Sequence, residues 1–142
     1  MQSRIYQVDP TSFIGTLSSH LKNNNLLTQP QNIDIIKSCS GKQNAPLDPD
    51  WLYVRAASVY RHFLTAHFKN ERITVTRLAS LYGCKKDRGS RPGKKVRASK
   101  GHLRSIVRDF GKLGWLVEDD KGKFVSEDGI KLSEQLIEKI LS

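Results

Sequence analysis

The chain has 142 residues, 37% of them hydrophobic, and carries 24 Lys and Arg against 14 Asp and Glu for a net charge of +10. That length holds one ordinary core but not two, so residues 1–142 read as a single domain. So basic a chain attracts polyanions; nucleic acid is favoured over a membrane, because no apolar run reaches the roughly 18 residues a bilayer span needs, Met1 to Val8 lack a signal-peptide core, and no terminal lipidation motif stands in the sequence.

In chain order the signals are mostly helical. Asp9-Pro10 is an acidic N-cap followed by Pro at the first helical position, and Phe13, Leu17 and Leu21 follow as one apolar stripe. The polar cluster Asn23-Asn24-Asn25 stops that helix, and a turn of helix is expected around Ile33, Ile35 and Ile36. Asp48-Pro49 repeats the start signal. From Asp50 to about Phe68 runs the longest expected helix, with no Gly or Pro inside it. Trp51, Leu52, Val54, Ala56, Ala57, Val59, Phe63, Leu64 and Phe68 cover more than one of its faces, which suits the centre of a bundle.

A further helix is predicted from Thr74 to Gly83, with Val75, Leu78, Ala79 and Tyr82 inward and Gly83 as terminator. Residues 84–98 read as a basic loop containing Gly89, Pro92 and Gly93. Ser99 then caps a helix whose Leu103, Ile106, Val107, Phe110 and Leu113 keep a 3.6-residue period up to Gly114. Two short β-prone runs around Asp119-Asp120-Lys121-Gly122 predict a β-hairpin wing at about 115–126. A last helix runs from about Glu127 to Leu141, with Leu132, Leu136 and Ile140 in register. The expected fold is therefore mainly α: a helical bundle around a long central helix, with a winged-helix-like helix-loop-helix and a small β-hairpin. A DNA-reading helix-turn-helix has a turn of about 3–4 residues, whereas here the whole basic segment intervenes.

The charge is concentrated. Residues 83–114 hold eleven basic residues against two acidic, whereas residues 115–142 hold four against seven. In the basic loop Lys85, Lys86, Arg88, Arg91, Lys94, Lys95, Arg97 and Lys100 are opposed only by Asp87. Such a segment repels itself and is expected to order against a polyanion, RNA phosphates above all, or else to stay a solvated loop. Its glycines would let backbone approach phosphate closely. Arg104 and Arg108 continue the basic face at helical spacing, either toward phosphate or toward water.

Catalytic chemistry finds no support. His20, His62, His67 and His102 lack metal-ligand spacing, and no H-E-x-x-H, P-loop or G-x-S-x-G string is present, so neither an enzyme nor a cofactor, metal or small-molecule substrate is expected. Cys39 and Cys84, far apart and in no C-x-x-C pair, read as two ordinary reduced thiols.

The string Trp51-Leu52-Tyr53-Val54-Arg55-Ala56-Ala57-Ser58, followed by Arg61-His62, resembles the signature of the eukaryotic and archaeal small-subunit ribosomal protein nineteen family. Ala45-Pro46-Leu47-Asp48, Leu81-Tyr82-Gly83 and Ala98-Ser99-Lys100 are similar to further family strings, so the likeness spans about Asp9 to Leu141. Where many members have a Gly-rich segment after the long helix, this chain has Ala66 to Arg72, and Cys84 stands where the family has glycine. Of the family's adjacent arginines only Arg104, beside Ser105, is kept. The resemblance implies a structural protein in the head of the small subunit, bound to small-subunit ribosomal RNA and neighbouring ribosomal proteins and needed for late subunit maturation. It also implies a cytoplasmic location with nuclear and nucleolar passage during assembly in a eukaryote. It marks Trp51, Arg55, Ser58 and Arg61, with Arg104 less closely matched, as important positions, and Trp51, Tyr53, Ala56, Ala57, Ser58, Tyr82 and Gly83 as structural ones.

Physical reasoning leaves choices open. Arg55 and Arg61 are costly to bury alone and suit bidentate phosphate contact, yet Arg55 has Asp50 and Glu71 as potential intramolecular partners. Trp51 fits either the core or a stacking site. A winged-helix DNA regulator and a protein-interaction module using the acidic C-terminal stretch (Glu118, Asp119, Asp120, Glu127, Asp128) are the competing functional classes.

Overall fold

Three helices end in the same device, and two of them do so without glycine. The computed structural model describes residues 4–27, 31, 36–42, 44 and 46–142. Helix α1 (Arg4–Gln7) and helix α2 (Pro10–Asn23) come first, then α3 (Trp51–Phe68) and α4 (Val75–Leu81). Strands β1 (Cys84–Arg88) and β2 (Arg91–Val96) follow, then α5 (Lys100–Lys112), strands β3 (Leu116–Asp119) and β4 (Gly122–Val125), and α6 (Glu127–Leu141). The chain is mostly helical, with two separate two-stranded antiparallel hairpins. Among the described residues no helix is long and apolar enough to cross a membrane.

The expected starts and stops carry physical detail. Asp9 occupies the N-cap position of α2 without a side-chain cap bond; its carboxylate accepts from Ser12 Oγ instead. After α2, Asn25 takes a left-handed φ of 49°, and the Leu26 N–H reaches back to the Leu21 carbonyl. Asn70 (φ 57°) repeats this after α3, with Glu71 N–H on Ala66 O. Gly114 (φ 79°) does the same after α5, with Trp115 N–H on Phe110 O. Each left-handed residue lets the chain satisfy carbonyls that the helix leaves orphaned. The Asp48-Pro49 signal acts one step early: the Asp48 carboxylate accepts the Asp50 N–H at 2.9 Å, and α3 starts at Trp51. Thr74 and Ser126 cap α4 and α6 by accepting N–H groups of Arg77 and Gly129. The turn expected at Ile33 and Ile35 lies outside the described residues, as does Ala45 of the Ala-Pro-Leu-Asp string. Ile36 is described and is not helical.

Helix α3, 18 residues long, contributes ten buried residues and packs against α2, α5 and β4. Ala56 and Ala57 are fully enclosed, so the small residues bring neighbouring elements of this chain close. Tyr60 is buried and donates to Gly129 O of α6 at 2.6 Å; its ring meets Phe110 and Trp115 at 5.4 and 5.6 Å. Aromatic burial of this kind supplies both area and ring–ring contact. The β3–β4 hairpin lies where the sequence predicts it, and Ile73 bridges to Lys123 beside it.

The segment 84–98, read from sequence as a loop, is instead mostly a β-ribbon. Strands β1 and β2 pair Cys84 with Val96, Lys85 with Lys95, Lys86 with Lys94 and Arg88 with Arg91. Its turn is built by the Asp87 carboxylate accepting the Gly89 N–H, with Gly89 at φ 75° and Arg88 Nε donating to Pro92 O. Charge hid the strands: alternation of polar and apolar residues, the usual sign of a strand, is absent when both faces are in water. Gly93 also differs from expectation, because the stem of Lys85 lies over it rather than leaving its backbone open.

Candidate nucleic-acid interface

The ribbon gathers six of the predicted cations into a short antiparallel pair. Lys85, Lys86, Arg91, Lys94 and Lys95 are exposed and Arg88 is half-buried. Side chains directly opposite in a ladder share a face. Lys85 and Lys95 therefore sit on one face, Lys86 and Lys94 on the other, and both are cationic. Arg97 follows, exposed, and Lys100 opens α5, from which Arg104 and Arg108 are exposed. Ser99 holds the N-cap position of α5 but makes no side-chain cap bond; its N–H donates to Ser38 O.

Tyr82, at the end of α4, organises a second cationic element. Arg55 Cζ lies 4.1 Å from the centre of the Tyr82 ring, the Tyr82 hydroxyl is 2.6 Å from Ser58 Oγ, and the His62 ring meets Tyr82 edge-on at 5.6 Å. Residues 55, 58 and 62 are spaced i, i+3, i+7, so the family string places one stripe of α3 on one tyrosine. The half-buried Arg55 keeps Nη1 buried with no hydrogen-bond partner among the described residues. Burial pushes its guanidinium below the ordinary value, while Tyr82 opposes that shift. The carboxylates considered as its intramolecular partners are otherwise engaged: Lys22 holds Asp50 at 2.7 Å and Arg77 holds Glu71 at 3.0 Å. A surface groove of about 620 Å³ opens beside Arg55, its lining including Trp51, Val54, Ser58, Tyr82 and Lys42.

Arg61 is also half-buried, with Nε lacking a partner among the described residues. Six residues along a helix is about 240°, so Arg61 leaves α3 in a different direction from Arg55. Trp51 belongs to the core: it is 9% exposed and meets His102 edge-on at 5.5 Å. Tyr53 is buried as well. Gly83 is required by packing, since a Cβ there would lie 2.5 Å from Val96 O at the ribbon base.

Sequence reasoning missed three things. The Arg55–Ser58–His62 stripe was legible from spacing; its partner Tyr82 was not. His102, taken as an ordinary histidine, is 6% exposed with neither ring nitrogen bonded among the described residues, and burial, then Arg55, lowers its pKa to about 4. Cys39 and Cys84, distant in sequence, have their sulfurs 3.2 Å apart.

The family model described as ribosomal protein S19e matches residues 4–142 of this chain. Small ribosomal subunit protein eS19B of Schizosaccharomyces pombe is 36% identical over 126 residues, 88% of this chain and 85% of that protein. The eS19 protein of Encephalitozoon cuniculi is 34% identical over 136 residues, 96% of each chain. That of the archaeon Thermoplasma volcanium is 29% identical over 128 residues, 90% of this chain and 83% of its own.

Proposed function

The chain belongs to the ribosomal protein S19e family, and from that membership we propose that it is a structural constituent of the small ribosomal subunit, held to small-subunit ribosomal RNA by its basic ribbon and adjoining helix faces. The family's proteins are structural components, not enzymes. The β1–β2 ribbon carries the reading. Lys faces Lys twice and Arg faces Arg once across its ladder. Like charges set opposite one another weaken a free ladder, so the arrangement is explained by a polyanion laid against both faces. Phosphates meet that demand without regard to base sequence, as contacts to folded RNA largely do.

Arg55, Arg61, Arg97, Lys100, Arg104 and Arg108 extend the RNA-facing surface in this reading. Arg55, stacked on Tyr82 as guanidinium groups stack on aromatic faces, lines the surface groove beside α3. One cluster of buried apolar residues supports reading 1–142 as one domain. Packing of α4 on α5, of α5 on β3, and of α3 on α2, α5 and β4 supports reading it as a winged-helix-like unit around a central α3. The acidic 115–142 region suits basic neighbours among the small-subunit proteins. We place the protein in the head of the subunit and in cytoplasmic ribosomes. A part in late subunit maturation follows, with nucleolar passage during assembly in a eukaryotic cell.

Sedimentation of a lysate through a sucrose gradient tests this. Co-migration with small subunits, whole ribosomes and polysomes at one copy per subunit is the expected result. Presence only on precursor particles would make it an assembly factor. Retention at the top of a low-salt gradient would overturn the reading in favour of a winged-helix DNA-binding protein.

A further inference from the structure

The strand β1 starts with a cysteine, and the tertiary fold sets a second one against it. Cys39 is 1% exposed and forms an isolated β-bridge with Ala98; Ser38 O accepts the Ser99 N–H at 2.9 Å. These bonds fix the 38–39 backbone against the exit of β2. Cys84, paired with Val96 at the ribbon's base, is partly exposed and points its thiol at Cys39 Sγ. Gly41 makes room for this: a Cβ there would lie 2.7 Å from Cys84 Sγ. Closing the 3.2 Å gap to a bond of about 2.05 Å needs a shift of only about 1.2 Å.

We propose that Cys39 and Cys84 are a reversible dithiol–disulfide site that reacts with low-molecular-weight disulfides and, when oxidised, staples the 38–41 segment to the base of the basic ribbon. Formation of the bond does not depend on the ribosomal reading above. The two thiols have different parts to play. Cys84 is the one an incoming reagent reaches. Its thiolate, the proton having gone to water, attacks one sulfur of the small disulfide and expels one thiolate, leaving a mixed disulfide on Cys84. Cys39 then attacks the Cys84 sulfur as a thiolate and expels the second small thiolate. One S–S bond breaks, one forms, and the two protein thiol protons end on two small-molecule thiols.

The surroundings of Cys39 suit the resolving step. Burial by itself disfavours its thiolate, but in the free dithiol the Gly41 N–H at 3.5 Å and the Cys84 thiol both donate to its sulfur and bring its pKa below the ordinary thiol value, and the Gly41 N–H still faces the Cys39 sulfur once Cys84 carries the mixed disulfide. Donation to Cys39 correspondingly raises Cys84.

The test is intact-mass and peptide-linkage spectrometry of the full chain equilibrated in oxidised and reduced glutathione. The expected product has lost two hydrogens, yields a peptide joining Cys39 to Cys84, and reverts when the buffer is made reducing. The Cys39→Ser variant should accumulate a persistent glutathione adduct on Cys84, and Cys84→Ser should form neither the link nor that adduct. If the wild-type chain itself stops at a Cys84 adduct, or stays fully reduced in excess oxidised glutathione, the proposal fails. Because the wild-type measurement decides alone, a variant that does not fold leaves the result intact.

Discussion

Replacing Gly129 with alanine should destabilise the protein, although helix propensity alone favours the change. Alanine in a helix is preferred over glycine by about 1 kcal/mol, and Gly129 lies in the first turn of α6. A Cβ at this position, however, would sit 2.5 Å from Tyr60 Oη, 2.8 Å from Trp115 O and 2.9 Å from Val125 Cγ1. None of these yields easily: Tyr60 is fully buried and bonded to Gly129 O, and Trp115 O accepts the Ser126 N–H at 2.8 Å. Overpacking of this sort costs about 1–3 kcal/mol, and displacing the buried hydroxyl adds about 1 kcal/mol. The net expectation is a loss of about 2 kcal/mol, or roughly 7 °C in Tm for a chain of this size. The internal control is Gly15→Ala on α2, where nothing lies within 4 Å and the residue is exposed; it should gain up to about 1 kcal/mol. Thermal melts followed by circular dichroism measure both. Adding Tyr60→Phe to Gly129→Ala removes the nearest clashing atom, so the double variant should lose less than the two single losses together. A Gly129→Ala protein melting at or above wild type would refute the packing argument.

His102 predicts an acid limb. Its folded pKa of about 4 lies below the unfolded value, so the unfolded chain binds the proton first. Stability is then complete above about pH 6.5 and falls by about 3 kcal/mol as pH drops toward 4. His102→Phe should flatten that limb in urea melts across pH; an unchanged limb would acquit His102. Changing Lys85, Lys86, Lys94 and Lys95 together to glutamate should weaken RNA association whatever the sequence. The slope of log affinity against log salt should drop by about 3 in a filter-binding titration. An unchanged slope would mean that the ribbon is not the anchor. Lys95→Glu alone, placed opposite Lys85, should raise Tm slightly while weakening RNA binding, since it replaces repulsion by attraction in the free ladder. Tyr82→Phe keeps the ring under Arg55 and loses the Ser58 bond, at about 1 kcal/mol. Tyr82→Leu should cost about 0.5–1 kcal/mol more for the lost cation–π contact; equal denaturation midpoints would rule that contact out.

Apolar patterning together with cap and terminator signals located α2, α3, α4, α5 and α6, and β-prone runs around a polar turn located the β3–β4 hairpin, because burial writes its pattern into the residues. The cationic residues were legible for the same kind of reason: charge is a property of composition, and eleven basic residues within 83–114 are visible without any fold. The family strings around Trp51 and Tyr82 were legible too. What periodicity missed is what has no buried face. Helix α1 is four residues long, too short for a period to show. The ribbon has water on both sides, so only backbone pairing, decided when Cys84 meets Val96, turns a basic stretch into two strands.

Contacts between distant residues belong wholly to the tertiary structure. Nothing in the local sequence says that Arg55 stacks on Tyr82 while Lys22 and Arg77 take Asp50 and Glu71, or that Gly129 is held beneath a tyrosine hydroxyl from another helix. Nor does it say that two cysteines 45 positions apart touch. Local preference acts over a few residues, and these pairings are set by where whole elements pack. The sequence by itself determined the five longer helices, the charge and the family. The fold decided which charges stay exposed and which thiols meet each other.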